Sequence, residues 1–135
     1  MLQISTSKYR DSFIDEEKKV FMSIWRNNTT NITEQEIKEA VNASAVELEH
    51  WKPLYFIANE TDRDFPFSVE LQKWIAYTIA TACIKAGIKK MALIMPENLI
   101  VEMSTEQTVD EAGKLPFEVK SFYNLVDAEK WFLAK

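Results

Sequence analysis

Two short, uninterrupted apolar runs constrain the fold more than any other feature of this sequence. They occupy residues 54–58 (LYFIA) and 91–95 (MALIM), and turn-forming residues bound them. Runs of this length suit strands that are buried on both faces of a parallel sheet. Between them, residues 68–86 follow a helical pattern that Gly87 closes, because glycine readily adopts the left-handed conformation that ends many helices. This segment is therefore predicted to form a βαβ unit.

The N-terminal half adds a hairpin and a helix to this unit. Residues 20–26 and, more weakly, residues 9–15 alternate in polarity, and four charged residues join them. This pattern indicates an N-terminal β-hairpin. The tetrapeptide at residues 33–36 (TEQE) matches a capping box, in which the Thr hydroxyl and the Glu carboxylate satisfy free N–H groups at the start of a helix. The helix is expected to end at Pro53.

The C-terminal third continues the alternation of helices and strands. A second capping box at residues 104–107 (STEQ) predicts a short acidic helix, residues 117–123 predict a strand, and Asn124 is expected to cap a final helix. The predicted order is β-β-α-β-α-β-α-β-α. We therefore expect one α/β domain over residues 1–135, with a mixed, mostly parallel sheet, an N-terminal β-hairpin and flanking helices.

The composition narrows the classes of protein to which the chain can belong. The 135 residues are 47% hydrophobic, with a net charge of −5 and a pI near 5.0. A protein that binds a phosphate backbone needs a dense positive surface, so we expect no nucleic-acid partner. The first residues lack a signal-peptide pattern, and no apolar run approaches the roughly 20 residues of a membrane span. A cytoplasmic protein without a membrane span is expected.

Few residues offer the chemistry of catalysis or of metal binding. The two glycines, Gly87 and Gly113, cannot build a glycine-rich phosphate loop. Cys83 lies within an apolar helical pattern, where a thiol usually behaves as a small buried hydrophobe. His50 stands alone at the end of a predicted helix, which favours a capping or exposed role. We therefore predict no catalytic residue, no metal site and no cofactor.

The segment with the strongest functional signal leaves the first apolar strand at its carboxyl end and enters the next helix. Ligand sites of open α/β sheets form at this edge. Its alternating charges and aromatic side chains make it a candidate binding loop. Alternatively, Arg63 pairs with a neighbouring carboxylate, the phenylalanines pack on the core, and Ser68 only caps the helix. The candidate binding residues of the loop are Asp62, Arg63, Asp64, Phe65 and Phe67.

Two further features suggest a partner. The helix over residues 68–86 is apolar around most of its circumference, although one buried stripe suffices on a sheet. Either other helices of the domain or a second subunit or protein partner covers the surplus, so Trp74 and Tyr77 join the candidate binding residues. Residues 97–111 carry five carboxylates and no Lys or Arg. This segment is either a solvated face or a surface that attracts a basic partner.

Five short motifs are spread over nearly the whole chain. They are WKP at 51–53, DRDFPF at 62–67, QKWI at 72–75, GIKKMA at 87–92 and AEKW at 128–131. In this order they resemble the bacterial SpoIIAA-like proteins of the STAS/SEC14-like group. The resemblance implies an α/β layer in which helices flank a mixed sheet.

For function, the resemblance implies a regulatory protein-interaction module rather than an enzyme. Anti-sigma-factor antagonists of this group bind a partner kinase, and phosphorylation of a Ser or Thr at the start of the helix after a central strand switches them. Ser68 occupies the comparable place and is the candidate phosphoacceptor. The sequence departs from the family pattern, Asp-Ser/Thr-Ser-Gly, because residues 65–68 read FPFS.

Two alternative functions accompany this expectation. The SEC14-like half of the group implies a domain that binds a lipid or another small hydrophobic ligand, although a chain of this length has limited spare volume for a cavity. The second alternative is a small hydrolase that uses Asp62, Asp64 and His50. It requires those three side chains to converge in one place.

Overall fold

The computed structural model describes residues 1–27, 29, 31–96 and 98–134. Its strands form one six-stranded sheet on which four helices pack, so the predicted α/β fold is confirmed. The strands are β1 (Leu2–Thr6), β2 (Arg10–Asp15), β3 (Val20–Trp25), β4 (Tyr55–Asn59), β5 (Lys90–Ile94) and β6 (Glu118–Phe122). The helices are α1 (Glu34–Trp51), α2 (Val69–Ala86), α3 (Leu99–Ala112) and α4 (Leu125–Leu133).

The strands follow one another across the sheet in chain order. β1, β2 and β3 are antiparallel neighbours, whereas β3, β4, β5 and β6 run parallel. The sheet is therefore mixed rather than mostly parallel, which corrects the prediction. The difference arises from β1, a strand that the sequence pattern did not predict. Its five residues are largely exposed and weakly alternating, and the unpaired edge of β2 provides the backbone partners that hold it.

The N-terminal hairpin of β2 and β3 forms as predicted. Its ladder runs from the pair Arg10 and Trp25 to the pair Asp15 and Val20. The turn contains no glycine, and Lys19 instead adopts a left-handed conformation with a φ of 59°. The carboxylate of Asp15 accepts a hydrogen bond of 2.9 Å from the backbone N–H of Lys18 and so stabilises the turn.

The order of the parallel strands decides on which face each helix lies. Right-handed crossovers that advance in one direction place their helices on the same face, and α1, α2 and α3 accordingly pack side by side. Phe21, Phe56 and Leu93 of the sheet form the core beneath them with Leu48 and Cys83 of the helices.

Helix α4 covers part of the opposite face of the sheet. Its Ala128 and Phe132 are buried against Ile57, Ala92 and Ile94. The parallel strands therefore have apolar residues on both faces, which explains why their sequences read as uninterrupted apolar runs.

The predicted ends of α1 and α2 agree with the structure. Thr33 and Glu36 form the capping box of α1, and Lys52 ends this helix in a left-handed conformation before Pro53. The Ser68 hydroxyl accepts a hydrogen bond from the first turn of α2, and Gly87 ends α2 with a φ of 82°. The predicted cap of α4, Asn124, also accepts from the first turn of its helix.

The predicted start of α3 is wrong. The helix begins at Leu99, because the Asn98 side chain accepts hydrogen bonds from the N–H groups of Ile100 and Val101. Ser104 lies inside the helix, and its hydroxyl accepts a hydrogen bond from the Phe67 N–H instead of capping α3. Glu97, the first residue of the predicted acidic segment, lies outside the described residues.

Helix α2 is covered on two sides by α1 and α3, which accounts for much of its surplus of apolar residues. Val69, Tyr77 and Ile84 nevertheless remain more than half exposed. Within the described part of the chain, no helix is long and apolar enough to cross a membrane.

Candidate functional site

The loop between β4 and α2 is built around the buried side chain of Arg63, which is 1% exposed. Its guanidinium donates to the Phe65 carbonyl at 2.6 Å and to the Glu60 carboxylate at 3.1 Å. The guanidinium also lies over the Phe67 ring, with 3.8 Å between Cζ and the ring centroid. Arg63 was predicted to contact a partner, but in this fold its donors and its flat face contact other residues of the same chain.

Arg63 also fastens the loop to α3. Its guanidinium donates to the Thr105 hydroxyl and to the Val101 carbonyl. The Phe67 N–H donates to the Ser104 hydroxyl at 2.7 Å on the same helix. The loop and the first half of α3 therefore form one hydrogen-bonded unit at the carboxyl edge of the sheet.

Glu60 is the partner of Arg63 that the sequence interpretation did not name. Its nearly buried carboxylate accepts a hydrogen bond from Arg63. Burial raises the pKa of Glu60, while the positive charge of Arg63 opposes that rise. The same burial lowers the pKa of Arg63. The only sequence signal for this pair is the spacing of three residues directly after a buried strand.

The two candidate phenylalanines of the loop belong to the core. Phe65 is 8% exposed and meets the Trp25 ring edge to face, with 5.4 Å between centroids. Phe67 is 6% exposed, and both rings pack in a cluster with Ile37 and Ile75 of α1 and α2. The structure thus places the aromatic part of the predicted binding loop between the helices rather than on the surface.

The polar candidates of the loop remain at the surface. Asp62 and Asp64 are exposed, and Asp64 accepts a hydrogen bond from the buried Thr29 hydroxyl. Ser68 is also exposed, and its hydroxyl accepts from the Leu71 N–H at 3.2 Å. The candidate phosphoacceptor is therefore accessible at the N-terminus of α2, a position that favours negative charge.

The two aromatic candidates on α2 have different environments. Trp74 is half-buried beside α1, and the Lys38 ammonium lies 5.4 Å from the centroid of its ring. Tyr77 is 75% exposed. Tyr77 is therefore open to a partner, whereas Trp74 contributes largely to packing.

A group of exposed apolar side chains lies beyond the loop, at the starts of α3 and α4. Leu99 and Ile100 are 68% and 67% exposed, Met103 is 50% exposed, and Tyr123 is 74% exposed. The Tyr123 hydroxyl donates to the Glu102 carboxylate at 2.8 Å and so joins the end of β6 to α3. We call these four apolar residues with Glu102 the carboxyl-edge patch. Sequence reasoning missed its apolar part because it started the helix at Ser104 and considered only the charge of residues 97–111.

A cavity of about 100 Å³ lies between the sheet and the layer formed by α1, α2 and α3. Most of its wall is apolar, and Met91, Val109, Leu115 and Val119 are only partly buried although they face this interior. Native cores contain few voids larger than one water molecule, and a void of about 10–15 Å³ already holds one. This space is larger than one water molecule needs, and it is partly open to solvent.

A second buried polar network, which the sequence interpretation also missed, adjoins this cavity. Arg10 is 4% exposed and forms an ion pair of 2.7 Å with Glu47 of α1. The Ser12 hydroxyl donates to the same carboxylate at 2.8 Å, and the hydroxyls of Ser23 and Ser44 lie 2.9 Å apart. These bonds fasten α1 to the antiparallel half of the sheet.

The residues considered for catalysis do not come together. His50 lies at the end of α1, before β4, whereas Asp62 and Asp64 follow the carboxyl end of β4, and a five-residue strand spans about 16 Å. Cys83 is fully buried, and burial raises the pKa of its thiol to about 12. Among the described residues, no group of three or more His, Cys, Asp or Glu side chains is placed to hold a metal ion.

Comparison of the chain with protein-family models, with curated proteins and with solved structures gives no significant match. The resemblance to SpoIIAA-like proteins therefore stays a prediction.

Proposed function

We propose that this chain is a non-enzymatic, regulatory protein-interaction module that binds its partner through the carboxyl-edge patch. The observation that carries this proposal is the exposure of Leu99, Ile100, Met103 and Tyr123 side by side at one edge of the sheet. Contiguous apolar side chains that stay exposed in a folded monomer mark interaction surfaces. The patch also lies at the edge where open α/β sheets bind their ligands.

The charge around the patch indicates a basic partner. The described part of α3 carries Glu102, Glu106, Asp110 and Glu111 and contains no Lys or Arg. A partner segment that combines apolar side chains with Lys or Arg would complement both properties of this surface. A second copy of the chain on the same patch would bring like charges together, so a different protein is favoured over a homodimer.

Ser68 is the proposed regulatory residue of the module. Phosphorylation would add a charge of about −1.5 to −2 at an exposed helix N-terminus. The preceding residue, Phe67, is hydrogen-bonded to Ser104 of α3, so the added charge would lie on the same unit as the patch. The location of Ser68 after a central parallel strand is what the resemblance to anti-sigma-factor antagonists implies. The bulky sequence before Ser68 still departs from their pattern.

The proposal is tested by replacing a patch residue that is not part of the core. Ile100→Glu places a charge in the patch, and Glu106→Lys reverses a charge beside it. Val46→Glu is the matched control, because Val46 is 65% exposed on α1, away from α3. Quantitative affinity purification from the host, followed by cross-linking mass spectrometry, compares these variants with the wild type.

We expect wild type and Val46→Glu to capture the same partner protein. Ile100→Glu should no longer capture this partner, and Glu106→Lys should bind it more weakly. The cross-links should reach a Lys- or Arg-rich segment of that protein. Identical binding by all four proteins would refute the proposed surface. Ser68→Asp tests the switch separately, since partner binding that this substitution leaves unchanged would count against regulation at Ser68.

The alternative function, lipid binding of the SEC14-like type, has the cavity in its favour. Sites for drug-sized ligands occupy about 300–1,000 Å³, whereas this cavity measures about 100 Å³. A whole lipid does not fit the cavity in this structure. Lipid extraction of the purified protein would test this alternative, and a stoichiometric lipid would favour it over the interaction module.

A further inference from the structure

We propose that the cavity between the sheet and helices α1, α2 and α3 is a binding site for one small apolar molecule of about the size of a single ring. This site goes beyond the proposed function, because the cavity lies between the sheet and the helices, whereas the carboxyl-edge patch consists of exposed side chains.

The volume of the cavity sets the size of the ligand. At about 100 Å³ it exceeds by several-fold the space that one water molecule needs. An engineered apolar cavity of about 150 Å³ in another protein binds benzene. Met91 and Leu115 are partly buried residues of the wall, and the flexible thioether side chain of Met91 can adjust to a ligand of similar size.

The chemistry of the wall selects an apolar ligand. Two charged groups line the cavity, and both are already paired: Arg10 with Glu47, and Glu60 with Arg63. No buried side-chain nitrogen or oxygen among the described residues lacks a hydrogen-bond partner. A ligand with a charged head group would find no free partner there, and its desolvation would oppose binding.

Small side chains create the free space. Ala76 and Ala80 face the cavity from α2, Ala112 faces it from α3, and Ala58 faces it from the sheet. Leucine suits a helix almost as well as alanine, so helix formation does not require the small residues at these positions. A larger side chain at Ala80 or Ala112 should therefore occupy the site.

The test is a titration of the whole protein with benzene. Two-dimensional NMR of the Met91 and Leu115 methyl groups monitors binding at each benzene concentration. Ala80→Leu and Ala112→Leu fill the cavity from two different helices. Ala43→Leu is the matched control, since Ala43 lies on α1 outside the wall of this cavity. Wild type and Ala43→Leu should show saturable shifts of these methyl signals, and both filled variants should bind benzene at least tenfold more weakly.

Two results would overturn the proposal. One is the absence of saturable methyl shifts in the wild-type protein, which needs no variant to interpret. The other is a benzene affinity of Ala80→Leu or Ala112→Leu that lies within twofold of wild type, judged on those of the two variants that fold. Benzene would then bind outside this cavity. Neither result bears on partner binding at the carboxyl-edge patch.

Discussion

At the scale of single residues, Arg63 shows how burial changes the meaning of a sequence motif. In the sequence, the Asp-Arg-Asp triplet at 62–64 reads as a charged surface loop. In the structure, the arginine turns inward to Glu60, and the aspartates stay at the surface. The alternative interpretation, in which Arg63 pairs with a carboxylate and Ser68 caps a helix, describes this geometry. The sequence did not reveal the inward turn, because α3 provides half of the partners of Arg63.

Removal of Arg63 should destabilise the fold strongly. Arg63→Met leaves Glu60 without its counter-charge in a nearly buried position, and the loss of one partner from a buried ion pair costs about 3–5 kcal/mol. Urea unfolding at pH 7 measures the change. Arg26→Met is the control, since Arg26 forms a partly exposed ion pair of 3.5 Å with Asp11, and such pairs contribute about 0–1 kcal/mol. Equal effects of the two substitutions would show that Arg63 is not structural.

Glu60 should give the protein a distinctive dependence of stability on pH. Because burial raises its pKa in the folded state, the folded state holds the proton more tightly than the unfolded state does. Its contribution to stability is therefore greatest below the unfolded pKa, near 4.5, and is lost as the pH rises through the folded pKa. The free energy of unfolding of wild type relative to Glu60→Gln should fall over this range.

The comparison of Glu60→Gln with wild type is made by urea unfolding at a series of pH values. Glu70→Gln serves as the control, because it makes the same change at an exposed position in the first turn of α2. A relative stability that rises with pH would mean that the attraction of Arg63 outweighs burial and lowers the pKa of Glu60.

At the scale of helices and strands, the sequence predicted correctly those helix ends that are capped by residues adjacent to the helix in the chain. The box at Thr33 and the glycine at position 87 both lie where the sequence placed them. The start of α3 was missed because Ser104 and its neighbours match a capping box in sequence, while Asn98 is the residue whose side chain accepts the free N–H groups. Only the contact of Ser104 with Phe67 shows that its hydroxyl is used elsewhere.

The ends of α1 and α2 provide a matched pair of substitutions. Gly87 has a φ of 82°, and no atom beyond its own residue and its two chain neighbours lies within 4 Å of the place that an alanine Cβ would take. Gly87→Ala should therefore cost about 1 kcal/mol through backbone strain alone. Lys52 has a φ of 48° at the end of α1, so Lys52→Gly should stabilise the protein by about 0.5 kcal/mol. Thermal unfolding measures both changes, and effects of the same sign would contradict this explanation.

At the scale of the whole molecule, the unfilled space of the cavity lowers the free energy of unfolding. The space of about 100 Å³ is partly open to solvent, so it costs less than the roughly 2 kcal/mol that an enclosed void of this volume would cost. The helical layer is fixed at two places, by Arg63 at the carboxyl edge and by Arg10 at the antiparallel half of the sheet.

Filling the cavity should therefore stabilise the protein in the absence of any ligand. Ala80→Leu is expected to raise the free energy of unfolding by about 1 kcal/mol, because the new side chain is buried in existing space. Ala43→Leu should change it by less than about 0.5 kcal/mol. A loss of more than about 1 kcal/mol in Ala80→Leu would indicate that the leucine overpacks the interior and that the space is not free.

The sequence by itself determined the α/β class, the hairpin, the βαβ alternation and the N-terminal caps of three of the four helices. These features depend on hydrophobic period and on capping chemistry, which act between residues close in the chain. The tertiary structure alone decided the addition of β1, the inward turn of Arg63, the exposure of the carboxyl-edge patch and the cavity. Each of these depends on which distant segments meet across the sheet, and the free energy of those contacts has no local pattern in the sequence.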